Sequence, residues 1–378
     1  MDILSISLDA AIATEEGDAR RRQRRYAERC DSYTVVVKTD GDAGEAVSEG
    51  ALRVVPTRSR TRYQFPVDAY RAAARRCREG TVDVVTTQDP FATGVVGWAL
   101  ARRFGLPLHV QVHADVFDNP AWRGASLGRR AAERVGRFVL ARADAVRVGT
   151  EHERGKVRDI VPADARVHVA PVAIDAERRC RETTRAERER LRERLDLDDA
   201  PVVAFAGRFV PQKNLDRWVD VAERVAKRAS DPPQFVLVGD GPERERIRRR
   251  FDEAGVGDRA RFPGWVAEDE LAVYYDLADV FLLTSDYEGT ARVIVEAGLK
   301  GLPVVATPFA GALDNVEDGA TGFVAEDVET LADRICWLLD RPEERAAFGE
   351  QARARFEDSF DPERLVEAYV EFLRPDGY

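Results

Sequence analysis

The sequence predicts an α/β protein of two doubly wound domains, each a mostly parallel sheet with helices on both faces. Three observations carry that expectation. Short β-branched runs alternate with amphipathic segments along the whole chain. The alternation restarts after Pro171 and a charge-dense stretch. With 378 residues, the chain exceeds what one hydrophobic core usually serves, so two domains of about 150 to 200 residues are expected.

Taken in order, the first-half strands are read at Asp2 to Leu8, Ser32 to Val37, Val82 to Thr87, Leu108 to Val112, Ala145 to Val148 and Arg166 to Val169. A helix is read from about Ser126, a good N-cap residue, to Arg142. Glu177 to Arg194 reads as one solvated helix opening the second domain. Second-half strands follow at Pro201 to Gly207, Gln234 to Gly239, Ala260 to Phe262, Ala278 to Leu283 and Pro303 to Ala306, each with a turn and a helical pattern after it. Pro342 to Leu373 is helical by pattern. The expected division is 1–175, 176–355, and a closing segment, 356–378, placed to cross back to the first domain. Sheets of this kind bind ligands at the carboxyl ends of their strands, so the cleft between two facing sheets is where a site is expected.

Composition narrows the function. No apolar run approaches the roughly 18 to 20 residues that span a bilayer, and the amino terminus reads as a strand rather than a secretory signal. A cytoplasmic protein is expected. Cys30, Cys77, Cys180 and Cys336 stand singly, which supports neither disulfides nor a zinc site. Of 58 basic residues only Lys38, Lys156, Lys213, Lys227 and Lys300 are Lys, and the net charge is −10. That balance suits a GC-rich genome or a high-salt cytosol and argues against a nucleic-acid binder.

The sharpest cluster follows a strand: Gly207-Arg208-Phe209-Val210-Pro211-Gln212-Lys213-Asn214. A tight glycine turn and two cations ahead of a helix would form a diphosphate clamp, with Arg208 as a planar fork and Lys213 as a point charge. A plainer reading, two surface cations on a βα loop, stays open, although a Lys is conspicuous in a chain so poor in them. Downstream, Glu288 precedes a helix and Glu296 lies inside it, about 12 Å further along the axis. The helix start between them offers backbone amides at Thr290, Ala291 and Arg292 to an anion. Spacing alone favours the plainer reading, a capping carboxylate and an ordinary helix Glu.

The run GRFVPQKN, the turn VGDGPER (Val238 to Arg244), FPGWV (Phe262 to Val266) and SDYEGTARVIVEAGLKGLPVVAT (Ser285 to Thr307) resemble, in order and spacing, the C-terminal domain of the family 4, or group 1, glycosyltransferases. These are retaining enzymes of the GT-B architecture, two Rossmann-like domains facing across a cleft. The resemblance implies an N-terminal acceptor domain and a C-terminal nucleotide-sugar domain. It implies that Arg208 and Lys213, with Gly207 at the turn, hold the donor diphosphate. Glu288 would meet the donor sugar and Glu296 the ribose. Residues Pro263 to Val266, Gly264 and Trp265 among them, would line the base pocket, and backbone from Gly289 to Arg292 the phosphates. The family more often has Phe-Gly where this chain has Thr290-Ala291.

In the first half, Gln111 to Phe117 resembles the family segment whose His, here His113, points toward the reacting sugar. By alternation His109, Gln111 and His113 share one face of their strand, which leaves a packed or a surface His open. The family's glycine pair after the first strand is missing; the loop Asp9 to Gly17 ends in one glycine, and Gly17 and Asp115 are the candidate acceptor contacts. Arg20 to Arg29 carries six Arg on one broad helical arc, opposite Ala19, Tyr26, Ala27 and Cys30. That arc reads either as a solvated face or as a dock for anionic lipid.

The expected function is transfer of a hexose, with retention, from a UDP- or GDP-linked sugar to a hydroxyl of a sugar or lipid-linked acceptor. No metal or other cofactor is expected to be required, because cations and helix amides can carry the leaving-group charge. The expected location is cytoplasmic, with peripheral contact at the inner face of the membrane. Gly239-Asp240-Gly241-Pro242-Glu243-Arg244 lacks the third glycine of a dinucleotide fingerprint, which weakens an oxidoreductase reading. An epimerase-type nucleotide-sugar protein and a basic membrane-binding module without transfer activity are competing readings of the same residues.

Overall fold

The computed structural model describes residues 1–14, 17–40, 46–80, 82–174 and 176–375. By internal contacts the chain divides into two units, Met1–Ala173 with the segment from Glu363 onward, and Ile174–Pro362.

Unit one holds β1 (Asp2–Ser7), β2 (Ser32–Val37), β3 (Val47–Glu49), β4 (Leu52–Pro56), β5 (Val84–Thr87), β6 (Leu108–Gln111), β7 (Ala145–Val148) and β8 (Arg166–Val169). They form one sheet in the order β3-β4-β2-β1-β5-β6-β7-β8, parallel except for the β3–β4 pair. β5, β6 and β7 are buried along their whole length and β1 and β2 nearly so. Their β-branched residues are why they stand out in the sequence, although His109, Gln111 and Arg147 are buried among them. β3 and β4 lie at the edge and were not expected; Leu52-Arg53-Val54 alternates buried and exposed instead.

The helices of this unit are α1 (Asp18–Ala27), α2 (Phe65–Glu79), α3 (Ala92–Phe104), α4 (Pro120–Gly124), α5 (Leu127–Leu140) and α6 (Glu151–Arg158). Their starts follow side-chain chemistry: Asn119, Ser126 and Thr150 accept backbone N–H groups of α4, α5 and α6. The arginine arc expected on α1 is not solvated throughout. Arg20 is 1% exposed, donating to the Ile12 carbonyl at 2.9 Å and to Glu49 at 2.8 Å, and Arg24 also donates to Glu49 at 2.6 Å. Glu49 sits on the unexpected strand β3, so a carboxylate far along the chain pairs with two of the six cations and its own pKa is held low by them.

Unit two holds β9 (Val202–Ala206), β10 (Gln234–Val238), β11 (Ala260–Gly264), β12 (Val280–Leu283), β13 (Val304–Ala306) and β14 (Gly322–Val324), all parallel in the order β11-β10-β9-β12-β13-β14. The stretch expected as one helix forms two, α7 (Ala176–Arg179) and α8 (Arg185–Arg194). Thr184 and Glu187 build a reciprocal capping box that starts α8 afresh. The remaining helices are α9 (Leu215–Arg228), α10 (Arg244–Glu253), α11 (Glu268–Leu277), α12 (Arg292–Leu299), α13 (Ala310–Asn315), α14 (Val328–Leu339) and α15 (Pro342–Ser359).

The closing helical run breaks at Phe360-Asp361, and Pro362 opens α16 (Pro362–Leu373). α15 stays with unit two, so the division expected at 355/356 falls at 362/363. α16 packs in unit one, where the Tyr369 ring meets that of Tyr26 at a tilt of 35° with centroids 3.9 Å apart and its hydroxyl meets Tyr33 at 3.0 Å and Gln111 at 3.1 Å. Among the described residues no helix is long and apolar enough to cross a membrane.

Candidate functional site

In unit two the loop after β9 and the loop after β12 are sewn together. Thr284 donates its hydroxyl to the carbonyls of Lys213 at 3.1 Å and Asn214 at 3.0 Å. The Gln212 amide donates to the Tyr287 carbonyl at 2.7 Å, the Asp286 N–H to the Gln212 carbonyl at 2.9 Å, and the Asn214 amide to Asp286 at 2.8 Å. Asn214 is left-handed, a conformation that Asn tolerates, and its side chain caps α9.

That stitching places Lys213 and Glu288 against each other. Lys213, at the end of a 3-10 turn (Pro211–Lys213), is 9% exposed, and its ammonium meets Glu288 at 2.5 Å. Ser285 donates to the same carboxylate oxygen at 3.0 Å. Gly207 ends β9, and Arg208, the other expected clamp cation, is exposed and makes no ion pair or side-chain hydrogen bond among the described residues. The sequence pairs the two cations; the structure pairs one with a carboxylate and leaves the other to solvent.

The glycines of the Val238 to Arg244 turn have a packing role. Gly239 is left-handed, and a Cβ there would lie 1.9 Å from the Gly207 carbonyl oxygen. The Phe209 N–H donates to the Asp240 carbonyl at 2.8 Å and Glu243 N–H to the Phe209 carbonyl at 3.1 Å. The turn that resembles a dinucleotide fingerprint is thus a seat for the Gly207 to Lys213 loop.

Gly289, Thr290 and Ala291 are buried ahead of α12, which Arg292 opens. Asn315 of α13 donates to the Thr290 carbonyl at 2.9 Å. Ala291 is left-handed, φ 52°, at the position where the family more often carries glycine. An L-residue held there costs roughly 1–2 kcal/mol, which marks the helix start as a constrained point.

Glu296 lies inside α12 and is 1% exposed. Tyr275 of α11 donates to one of its oxygens at 2.9 Å, and Arg179 of α7 reaches the other at 3.2 Å, with Arg292 4.0 Å away. Arg179 also bonds Glu268 at the start of α11. Burial and the Glu296 charge push the Tyr275 hydroxyl well above the usual range, so it stays a donor. Neither Tyr275 nor Arg179 was expected: Tyr275 belongs to an ordinary helix pattern, and Arg179 is one of many in a charged run. Gly264 ends β11, and Trp265 beyond it is 73% exposed, a large apolar ring presented to solvent.

In unit one, His109 and His113, expected on one face, part company. His109 is fully buried, its ring 5.4 Å from Phe372 of α16, and burial pushes its pKa down to about 3. His113 lies just past the end of β6 and is exposed; surrounding protein and the guanidiniums of Arg147 and Arg22 push its pKa down, so it is neutral near pH 7. Asp115, an expected acceptor contact, is turned inward: Lys156 bonds its two oxygens at 2.7 and 2.9 Å and Asn119 donates at 3.1 Å. That carboxylate ties α4 to α6 and is 5% exposed. Gly17, the other, sits at the N-cap of α1 in an ordinary extended conformation, φ −72°.

Comparison with known proteins identifies the family. Residues 187–355 match the model of the glycosyl transferases group 1, and residues 18–173 that of the glycosyl transferase 4-like domain. The chain belongs to the group 1 glycosyltransferases. It is 32% identical to the alpha-D-kanosaminyltransferase of Streptomyces kanamyceticus over 262 residues, 68% of this chain and 67% of that one. It is also 32% identical to a GDP-mannose-dependent alpha-(1-6)-phosphatidylinositol monomannoside mannosyltransferase of Mycobacterium tuberculosis over 256 residues, 64% of this chain and 66% of that one. Among solved structures, sucrose-phosphate synthase from Thermosynechococcus elongatus is similar over 98% of both chains with a TM-score of 0.82 at 22% identity. Anabaena HepE in complex with UDP is similar over 99% of both chains with a TM-score of 0.75 at 20% identity. These glycosyltransferase neighbours share the fold, two parallel-sheet α/β units of the GT-B type.

Proposed function

We propose that this glycosyltransferase moves a hexose, with retention, from a UDP- or GDP-linked donor to a hydroxyl of a sugar or lipid-linked acceptor. The carrying observation is the sewn pair of loops that sets Lys213 against Glu288, beside the exposed Arg208 and the start of α12. Two of the relatives, a kanosaminyltransferase and a mannosyltransferase, are named for activities of the same kind.

In the proposed reaction the bond between the sugar C1 and the β-phosphate oxygen breaks, and its electron pair leaves with the nucleoside diphosphate. The acceptor oxygen bonds C1 on the face just vacated and passes its proton to the departing phosphate oxygen. Arg208, Lys213 and the first-turn amides of α12 oppose the charge that grows on that phosphate. Glu288 holds Lys213 in place and accepts sugar hydroxyls. Glu296 accepts ribose hydroxyls once the guanidinium of Arg179 releases its oxygen, because a carboxylate this buried admits no ligand while covered. Exposed Trp265 offers its ring to the base. No metal is required in this scheme, since fixed cations and amides supply the positive charge.

Incubation with UDP- and GDP-hexoses and simple glycoside acceptors, followed by NMR of the product's anomeric proton, tests the reading. An α-linked product from an α-linked donor is expected, at a rate unchanged by chelator. Donor epimerisation without an acceptor would replace transfer with an epimerase activity, and loss of rate restored by Mg²⁺ would remove the metal-free scheme.

A further inference from the structure

The lipid contact suggested by the arginines of α1 finds little support there, since Arg20 and Arg24 are spent on Glu49. A different helix of the same unit has the opposite character. α5 packs inward through Gly136, Val139 and Leu140. At 100° per residue, Leu127, Arg134 and Phe138 fall within about 40° of one another on the opposite side. Leu127 is 80% exposed, and Phe138 and Val135 are each 39% exposed. Soluble helices normally keep such residues on the packed face. Here apolar side chains occupy both faces, and on the outer one they alternate with cations.

Those cations are unanswered. Arg130, Arg134 and Arg142 are exposed and make no ion pair among the described residues. Elsewhere surface arginines meet carboxylates: Arg246 with Asp216, Arg250 with Asp220, Arg228 with Glu329 and Asp333. The patch continues onto α3, where Val95 is exposed and Trp98 packs edge-on against Phe138 with centroids 5.0 Å apart. The Arg142 guanidinium lies over the Phe138 ring at 3.8 Å.

We propose that the outer face of α5, with Val95 and Trp98 of α3, docks on an anionic lipid surface. Exposed Leu and Phe suit the acyl boundary, and the flanking guanidiniums suit the lipid phosphates above it. Nucleic acid would use the cations but not Leu127. A second copy on the same face would set arginine against arginine. The chain's net charge of −10 makes the rest of the surface unwelcome to the same membrane, so one face is selected. This surface uses none of the donor-site residues.

The test is co-sedimentation of the full chain with vesicles of phosphatidylcholine alone or mixed with phosphatidylglycerol, at low and high salt. Binding to the mixed vesicles at low salt is expected to exceed the neutral ones by about tenfold and to fall with salt. Combined Arg130→Glu and Arg134→Glu, or Leu127→Asp and Phe138→Asp, should each abolish it, while Arg21→Glu, Arg22→Glu and Arg25→Glu together leave it intact. Hydrogen exchange on the unaltered protein gives a readout independent of variant folding: backbone amides of 127–142 should slow when mixed vesicles are added. Equal binding to both vesicles, survival of binding in the α5 variants, loss with the α1 variants, or unchanged exchange over 127–142 would each overturn the proposal. So would competition by single-stranded nucleic acid at full strength, or a shift in oligomeric state as the sole effect of the α5 changes.

Discussion

The loops that follow β9 and β12 in unit two differ in kind from the segment that follows β6 in unit one. In unit two, side chains donate to main-chain carbonyls across the two loops, and a glycine lets a third backbone approach. In unit one, His113 stands exposed past its strand, and the carboxylate two residues on, Asp115, is paired with Lys156 and Asn119. That contrast explains why only one of the two regions carries long motifs. A site held by backbone needs particular residues at fixed spacing, so it leaves an extended signature. A site made of a few projecting side chains leaves almost none.

Gly239→Ala should show the backbone-held region at its most demanding. A Cβ there collides with the Gly207 carbonyl oxygen, so the loss of stability is expected to reach about 4 kcal/mol or more, read as a fall in urea midpoint. A loss under about 1 kcal/mol would mean the loops are not seated as described.

Next come the clamp cations. Arg208→Ala should leave stability within about 0.5 kcal/mol, because the side chain has no partner to lose among the described residues, while kcat falls by about 10²–10³. Lys213→Ala should lower kcat similarly and also cost about 1–3 kcal/mol of stability, since Glu288 keeps only Ser285. Denaturant curves beside steady-state rates separate the two. Equal stability losses would contradict the assignment of one cation to solvent and the other to an ion pair.

The fold was legible wherever one rule sufficed. Short β-branched runs revealed the central strands of both sheets, and cap residues such as Ser126 marked helix starts. β3 and β4 escaped because edge strands are short and half polar, and the break between α15 and α16 was masked by helical pattern on both sides of Pro362. Within the candidate site, the loop from Gly207 to Asn214 and Glu288 stood out because their spacing is fixed by backbone. The partners of Glu296 were not. Arg179 and Tyr275 come from two other helices, and only the tertiary fold brings them to α12. Likewise the fate of Arg20 depends on Glu49, a strand residue 29 positions away.

Smaller effects are expected where single side chains, rather than backbone, make the contact. Asp115→Asn should cost about 1–3 kcal/mol, because the Lys156 ammonium loses its countercharge, with acceptor KM unchanged. A rise in KM at intact stability would return Asp115 to the acceptor site. Arg179→Ala should lower donor KM by a few-fold, as a competing guanidinium leaves Glu296; a raised KM would make Arg179 a holder of the donor instead.

Whether Arg208 and Lys213 grip a diphosphate is settled by calorimetric titration of UDP and GDP into the unaltered protein, Arg208→Ala and Lys213→Ala. At least one nucleotide should bind the unaltered protein, and each substitution should weaken that binding about tenfold or more. The same dissociation constant in all three proteins would remove the clamp from the mechanism.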